Sequence, residues 1–142
     1  MKDPDPEADI VRQERTQWLD PVIAVKCYNP SKRDWGTYEI IAQGEGWLTK
    51  ILTIEPRKNI SFQRHFHREE RWLVLEGEGE FFSAEAGRWP VKPSDQIQIP
   101  VNNTHWIANT SHDINLIILE TWLGDKLEES DIERIENELT IS

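Results

Sequence analysis

Residues 94–123 read SDQIQIPVNNTHWIANTSHDINLIILETWL, and they alternate short apolar runs with turn-forming residues. In QIQIP, Ile97 and Ile99 are expected on one face of a strand, with the intervening glutamines on the other face. INLIILETW is almost continuously apolar, as in a strand that is covered on both faces. Turn signals such as PVNNT and NTSHD separate the runs. This spacing is typical of an all-β sandwich or barrel.

The same pattern begins near Gly36 and ends near Leu123. Further turn-forming segments separate its apolar runs, namely AQGEG, EPRKN, EGEGE, AEAGRWP and KPSD. The block contains no helix-length period and no diagnostic repeat. A chain of 142 residues is long enough for one domain with a hydrophobic core. We therefore predict a single all-β barrel domain over residues 31–142.

Residues 1–30 are predicted to form an N-terminal arm. The first six residues are rich in proline and aspartate and are expected to be loose, because they bury too little surface to offset the entropy of ordering. Asp20-Pro21 and Asn29-Pro30 interrupt any long helix, since the residue before a proline disfavours the helical region. A short helix is predicted around IVRQERTQWL.

The segment after Gly124 is predicted to be an amphipathic helix that packs on the barrel. Ser130 followed by Glu133 matches the spacing of a helix capping box. Beyond it, apolar residues recur at helical spacing, namely Ile132, Ile135 and Leu139.

The composition excludes several classes of protein. The formal net charge of −10 argues against general attraction to nucleic acid or anionic lipid. No apolar run approaches the roughly 20 residues that a membrane-spanning helix needs, so no membrane partner is expected. The N-terminus has no apolar signal region, and the single cysteine, Cys27, cannot form an internal disulfide. These features predict a cytoplasmic protein.

The stretch FQRHFHREERW, residues 62–72, concentrates residues that can bind a metal. In a strand, Gln63 and His65 would project from the same face. Glu70 would approach from the adjacent strand after a tight turn, and His105 would provide a fourth ligand. Imidazole, carboxylate and amide oxygen form a mixed nitrogen and oxygen set that suits a divalent ion such as Zn, Mn, Co, Ni or Fe.

Two spaced motifs carry a resemblance to a known family: Gln63-x-His65-x4-Glu70-x6-Gly77 and Pro100-x4-His105-x3-Asn109. They resemble the signature motifs of the cupin superfamily, with Gln63 in place of the usual first histidine. Within cupins the chain is most similar to the type II mannose-6-phosphate isomerases, which usually form the C-terminal domain of bifunctional mannose-6-phosphate isomerase/mannose-1-phosphate guanylyltransferases. Further matches are Arg33, Trp35, Gly36, Tyr38, Arg68, Trp72, Gly124, Asp131, Ile132, Arg134 and Glu136.

The chain departs from the family pattern at several turns. Arg57, Ser94 and Asn102 stand where the family has glycine. We expect these turns to need a positive φ, which asparagine accepts more readily than most residues. Three departures within or beside the first motif are Arg64, Phe66 and Arg71. The four expected metal ligands are retained.

The resemblance implies a fold, a reaction and roles for particular residues. The fold would be a double-stranded β-helix, or jelly roll. The reaction would interconvert mannose 6-phosphate and fructose 6-phosphate through an enediolate. Gln63, His65, Glu70 and His105 would hold the metal. Two basic residues, Arg68 and Lys50, would bind the substrate anion, and Arg68 could also stabilise developing negative charge. His67 could be a base, a ligand or a bystander, and a homodimer is possible by analogy.

Two functions from different classes remain open at this point. One is the metal-dependent sugar-phosphate isomerase. The other is a non-catalytic cupin that keeps the metal and recognises a sugar or sugar phosphate, which the departures from the first motif favour. A metal-dependent oxygenase fits less well, because Gln63 replaces a histidine that such iron sites usually use. Hydrolase, kinase and dehydrogenase motifs are absent from the sequence.

Overall fold

The structure, a computed structural model, describes residues 30–142. The predicted N-terminal arm, with its short helix, lies outside the described residues, apart from Pro30. The described part contains eleven strands: β1 Ser31–Arg33, β2 Gly36–Gly44, β3 Trp47–Ile54, β4 Gln63–Arg64, β5 Arg68–Glu76, β6 Gly79–Ser83, β7 Gly87–Val91, β8 Gln96–Ile99, β9 Trp106–Asn109, β10 Leu116–Gly124 and β11 Glu133–Arg134. This part of the chain has no helix, and hence none that could cross a membrane.

The strands form three antiparallel sheets. Six strands make the largest sheet, in the order β1-β2-β3-β10-β5-β8. A second sheet has the order β7-β6-β9, and β11 pairs with β4 in a third. Isolated bridges join Asn59 to Ala108 and Gln63 to His105, which ties the segment before β5 to β9. The predicted all-β architecture is confirmed.

Alternation along the strands builds the core. Ile97 and Ile99 are buried and the glutamines between them are exposed, as predicted. Strand β10 alternates between buried and half-buried residues, so its second face is only partly covered. The main cluster draws on both larger sheets and comprises Leu52, Ile54, Ile60, Trp72, Val74, Phe81, Val91, Ile97, Ile99, Ile107, Leu116 and Ile118. The largest sheet therefore packs against the β7-β6-β9 sheet through a continuous apolar layer.

The three turns that lack the family's glycine have left-handed backbone conformations. Arg57, Ser94 and Asn102 have φ angles of 60°, 76° and 68°. Such a conformation costs a non-glycine residue roughly 1–2 kcal/mol. At Arg57 the side chain has bonding partners that help to offset this cost, because its guanidinium donates to the backbone oxygens of Thr110 and Ser142 at 3.0 and 2.8 Å. The expectation of positive φ at these positions is confirmed.

The predicted C-terminal helix is wrong. Glu133 and Arg134 form β11, and the amide of Ile135 donates to the backbone oxygen of Phe62 at 2.8 Å. A second apolar cluster captures this segment, in which Ile135, Leu139 and Ile141 pack against Phe62, Trp106 and Ala108. Ile135 and Leu139 are four residues apart and share a face both in an extended chain and approximately in a helix, so their spacing did not exclude a strand. Tertiary packing decided between the two conformations.

The turn after β5 provides a test of the packing. Gly77 has a φ of 85°, and a Cβ atom there would lie 2.4 Å from the backbone oxygen of Asn115. Gly87 has a φ of 105°, but no other heavy atom would lie within 4 Å of a Cβ atom added there. We expect Gly77→Ala to lower the free energy of unfolding by roughly 3 kcal/mol and Gly87→Ala by roughly 1 kcal/mol, because only the first adds a collision to the backbone strain. Urea denaturation measures both free energies of unfolding. Equal losses in the two variants would contradict a collision between the new Cβ atom of residue 77 and the Asn115 oxygen.

Candidate metal centre and its cavity

Three side chains predicted to bind a metal meet in the interior. His65, Glu70 and His105 are buried. Their nearest atoms form a triangle: the Nε2 atoms of the two histidines are 3.2 Å apart, and Oε2 of Glu70 lies 3.1 Å from His65 Nε2 and 3.2 Å from His105 Nε2. The residues come from the segment after β4, from β5 and from the segment before β9. Pairing of the sheets thus unites residues separated by up to 40 positions.

Backbone carbonyls orient both imidazoles. Nδ1 of His65 lies 2.6 Å from the backbone oxygen of Asp131, and Nδ1 of His105 lies 3.2 Å from that of Asn103. Because a carbonyl only accepts hydrogen bonds, each Nδ1 carries a proton. Nε2 of His105 is then left to bind a proton or a metal ion, and Nε2 of His65 can accept from Arg68 at 3.2 Å or bind a metal ion. A second hydrogen bond of this kind is typical of metal-binding histidines.

The Glu70 carboxylate needs a positive partner. Burial raises the pKa of Glu70, but the contacts with His105 and His65 together lower it further, so its pKa lies well below the ordinary value. With both Nε2 atoms unprotonated, Oε2 of Glu70 has no hydrogen-bond partner among the described residues. An unpaired buried carboxylate is very costly. Arg68 lies 3.9 Å from Oε1, and a protonated imidazole or a metal cation can supply the positive partner that Oε2 lacks.

The dimensions of the cluster fit a divalent ion. In a tetrahedral or octahedral shell with bonds of about 2.1 Å, neighbouring ligand atoms lie roughly 3.0–3.4 Å apart. The three separations in the cluster, 3.1 to 3.2 Å, fall within this range. Three protein ligands also leave coordination positions for water or substrate. The donor set suits several transition metals and does not select one.

Gln63 lies beside this cluster. Its strand, β4, pairs with β11, and Gln63 forms a bridge with His105 through two backbone hydrogen bonds. The side-chain oxygen accepts a hydrogen bond from the Ser61 hydroxyl at 3.0 Å. Gln63 lines the same cavity as His65 and Glu70. Its predicted role as a fourth ligand stays a prediction, which would need its oxygen to turn from Ser61 to the metal.

A cavity of about 410 Å³ leads from the cluster to the surface. This volume is within the usual range of small-molecule sites, about 300–1,000 Å³. Its walls come from β1 to β5, from β10 and from the C-terminal segment. The residues lining it are Arg33, Asp34, Trp35, Tyr38, Lys50, Leu52, Asn59, Ile60, Ser61, Gln63, His65, Arg68, Glu70, Glu120, Glu129, Ile132 and Arg134.

Cations and aromatic rings alternate along one wall of this cavity. Arg33 lies 5.0 Å from the centre of the Tyr38 ring, and Lys50 lies 4.4 Å from the same ring. The Trp122 ring then lies between Lys50 at 4.0 Å and Arg68 at 3.4 Å. In each of these cation–π contacts the aromatic ring stabilises the positive charge of the side chain, most strongly where water is excluded. The column leads from the exposed Arg33 to Arg68 beside the metal cluster.

Arg68 is held at the inner end of the cavity. Its guanidinium donates to the backbone oxygens of Glu128 and Asp131 at 3.1 and 3.4 Å. One nitrogen also lies 3.2 Å from Nε2 of His65 and 3.9 Å from the Glu70 carboxylate. The structure thus places Arg68 beside the His65, Glu70 and His105 cluster, and its predicted role there stays a prediction.

Lys50 also lies in the cavity, but two carboxyl groups surround it. Its Nζ is 2.9 Å from Glu129 and 3.8 Å from Glu120. The indole nitrogen of Trp122 donates to the same Glu120 oxygen. Burial and the charge of Glu70 raise the pKa of Glu120 to about 8, although Lys50 opposes the shift. Glu120 is therefore mostly a neutral acid at pH 7.

The sequence analysis missed Glu120 and Glu129. Glu120 is the single charged residue in INLIILETW, and it alternates with the inward-facing Ile118 and Trp122. A carboxylate that lies two residues from buried residues along a strand is expected on the buried face. Such a buried carboxylate indicates a functional site. Glu129 gave no such signal, because it lies in the acidic segment after Gly124 that is predicted to form an amphipathic helix.

His67 is not brought to the cavity. A bend at Phe66 and His67 breaks the strand period, so both side chains are exposed. The Asp131 carboxylate holds this bend by accepting hydrogen bonds from the amides of Phe66 and His67, each at 2.9 Å. Burial raises the pKa of Asp131, but these amides and nearby Arg68 and His67 lower it below its ordinary value. The predicted catalytic role of His67 has no support in this geometry.

Comparison with known proteins places the chain in a family. The sequence model of the family described as "Mannose-6-phosphate isomerase C-terminal" matches residues 23–137. The chain belongs to this family. A curated relative, the alginate biosynthesis protein AlgA of Pseudomonas aeruginosa, is 32% identical over 105 residues, which cover 74% of this chain and 21% of AlgA. The chain therefore spans about a fifth of the length of such relatives. The predicted family is confirmed.

Solved structures support the same fold for this mannose-6-phosphate isomerase C-terminal domain. The capsular polysaccharide assembling protein CapF of Staphylococcus aureus superposes with a TM-score of 0.66 at 18% identity, over 77% of this chain and 34% of CapF. A cupin superfamily protein of Desulfitobacterium hafniense superposes with a TM-score of 0.57 at 16% identity, over 68% of this chain and 84% of that protein. These similarities concern the fold, which is that of cupins.

The triangle of ligand atoms makes a prediction about metal binding. We expect His65→Ala or His105→Ala to abolish stoichiometric binding of Zn or Mn, because each removes one of three converging ligands. His67→Ala is the control, since it removes an exposed histidine two residues from His65. Metal content after dialysis, measured by elemental analysis, decides the outcome. Retention of metal by both buried-histidine variants would contradict the site.

The bend held by Asp131 makes a second prediction. Asp131→Ala leaves the amides of Phe66 and His67 without their acceptor and loosens the loop that carries His65. We expect metal affinity to fall by about tenfold or more, in line with the loss of other supporting groups of metal ligands. Asp95→Ala is the control, because Asp95 accepts from the Lys92 amide at 2.9 Å in a turn that does not line the cavity. Titration against a chelating dye measures both affinities, and equal effects would refute the support by Asp131.

Proposed function

We propose that the protein is a metal-dependent isomerase that interconverts mannose 6-phosphate and fructose 6-phosphate. The observation that carries this proposal is the buried His65, Glu70 and His105 cluster, which opens into a cavity of sugar-phosphate size in a chain of the mannose-6-phosphate isomerase C-terminal family. Gln63 would complete the ligand set. The family match supports the substrate, and the geometry supports a Lewis-acid site.

The chemical task is to remove a weakly acidic proton from the carbon next to a carbonyl. A divalent ion in this cluster would stabilise negative charge on the two neighbouring substrate oxygens. Arg68 lies beside the same cluster, and its guanidinium is fixed by carbonyls at 3.1 and 3.4 Å. A positioned cation of this kind stabilises developing charge without reorganising. Arg68 would thus stabilise the negative charge that develops on the enediolate oxygens.

The rest of the cavity suits a polyhydroxylated ligand. Buried Glu120, mostly protonated at pH 7, and Lys50 offer donors and acceptors to sugar hydroxyls. Their mutual pairing, together with Glu129, holds them in place in the absence of a ligand. Trp35 and Tyr38 add apolar surface near the exposed end. A site that combines few fixed polar groups with apolar walls is typical of small-molecule binding.

The proposal is tested by an isomerase assay on purified protein, apo or reconstituted with Zn, Mn, Co or Ni. We expect conversion of mannose 6-phosphate to fructose 6-phosphate only with added metal, and a loss of at least about a hundredfold in kcat in His105→Ala, because the ligand set is broken. His67→Ala should retain activity. Metal-independent turnover, or full activity in His105→Ala, would contradict the assigned site.

Stoichiometric metal without turnover would favour the alternative, a non-catalytic cupin that binds a sugar or sugar phosphate. The observation behind this alternative is the set of departures at Arg57, Arg64, Phe66 and Arg71 from the family pattern. Phe66 and Arg71 are exposed and do not line the cavity, whereas the cluster itself is retained. These positions therefore give the alternative less support than the sequence suggested.

A further inference from the structure

The four cations that line the cavity differ in how their charge is balanced. Two lie deep, Lys50 and Arg68, and are 4% exposed. Two are exposed at the entrance, Arg33 and Arg134. A phosphate group binds best to a cation that has no carboxylate partner already, because it then displaces no existing ion pair. The surroundings of each cation therefore indicate where a sugar phosphate places its anion.

Lys50 is a poor site for a phosphate group. Glu129 lies 2.9 Å from its Nζ and Glu120 lies 3.8 Å away. A dianion bound to Lys50 would stand next to the charged Glu129 carboxylate, which already pairs with the Nζ atom at 2.9 Å. Like charges at such distances repel strongly where water is partly excluded. The earlier assignment of the anion to Lys50 is therefore not favoured.

Arg68 is committed to the inner end of the cavity. Its donors are used by two backbone carbonyls, and its guanidinium touches His65, a proposed metal ligand. In a hexose 6-phosphate the reacting carbons are C1 and C2, whereas the phosphate is on C6. When C1 and C2 lie at the metal cluster beside Arg68, the phosphate must lie at the other end of the sugar. That end of the cavity is its entrance.

Arg134 is exposed and lines the cavity, with its charge unbalanced. It stands opposite Gln63 in the β11 and β4 pair, and both residues line the cavity. Within residues 30–142 its side chain has neither an ion pair nor a hydrogen bond, whereas its neighbour Glu133 pairs with Arg64 at 2.8 Å. An unpaired guanidinium beside a sugar-sized cavity is well suited to bidentate binding of a phosphate.

Arg33 provides a second cation at the entrance. Its guanidinium donates only to neutral groups, the Lys32 carbonyl at 3.1 Å and the Tyr38 hydroxyl at 3.2 Å. These bonds hold the side chain in place without cancelling its charge. Arg33 and Arg134 belong to segments at opposite ends of the described chain, β1 and β11, that the fold brings to one cavity.

We propose that the entrance of the cavity is a phosphate subsite, in which Arg134 binds the phosphate of a hexose 6-phosphate and Arg33 adds a second positive charge. This inference rests on the proposed function for the orientation of the sugar. It separates the anion site from the metal site. Arg134 and Arg33 thus select a phosphorylated sugar, while the inner residues act on C1 and C2.

The test measures binding of mannose 6-phosphate to the Zn- or Mn-loaded protein by isothermal titration calorimetry. We expect Arg134→Gln to weaken the affinity by about tenfold and Arg33→Gln to weaken it less, because a charge-assisted bidentate contact is lost in the first. Arg71→Gln is the matched control: it makes the same charge change at an exposed residue outside the cavity lining, and its affinity should stay within about twofold. Metal affinity should be unchanged in all three variants.

Two results would overturn the subsite. One is wild-type affinity in Arg134→Gln; the other is an equal loss in Arg134→Gln and Arg71→Gln, which would show a general charge effect. Turnover measured on the same samples separates this inference from the proposed function. Wild-type turnover with an unchanged KM in Arg134→Gln removes the subsite alone. Binding that depends on Arg134 without turnover in any metal supports the subsite and removes the isomerase.

Discussion

The burial of the Glu70 carboxylate against two imidazoles is the constraint on which the site depends. A carboxylate removed from water needs a cation and hydrogen-bond donors. The fold supplies two Nε2 atoms at 3.1 and 3.2 Å, each left available because its Nδ1 is bonded to a carbonyl. Arg68 lies 3.9 Å from the other oxygen of this carboxylate, so the partner that Oε2 lacks can be a proton on an imidazole or a metal ion. The separations between the three atoms suit a metal.

The C-terminal segment completes this site from outside the main sheets. The Asp131 carbonyl orients His65, and its carboxylate holds the bend that sends His67 outward. Glu128 and Glu129 bind Arg68 and Lys50. Residues 128–131 therefore help to position the loop that carries His65, as groups that support metal ligands do in other proteins.

The cavity separates its charges by depth. Acidic and basic side chains pair in the interior, and Glu120 is neutralised there by burial beside Glu70. At the entrance, Arg33 and Arg134 keep their charge. A negatively charged chain with a formal charge of −10 would otherwise repel an anionic ligand. A local cationic entrance counters that repulsion over the short distance at which salt does not screen it.

The sequence by itself determined the all-β architecture, the family and the convergence of three residues that could hold a metal ion. Alternation in QIQI and the repeated turn signals depend on local geometry, and the spacing of His65, Glu70 and His105 belongs to motifs that survive in the chain. Glycine positions in those motifs also predicted the positive φ angles of Arg57, Ser94 and Asn102. Backbone sterics govern such features residue by residue, so they can be predicted locally.

Only the tertiary structure decided the conformation of the C-terminal segment and the roles of the residues around the metal cluster. The spacing of Ile135 and Leu139 fits a helix or an extended chain, and both residues pack against Phe62 and Trp106 without forming a helix. A single bend moved His67 out of the site. Glu129 and Arg134 acquired their surroundings from strands more than 60 positions away. Charge balance depends on these distant neighbours, and local sequence patterns do not contain them.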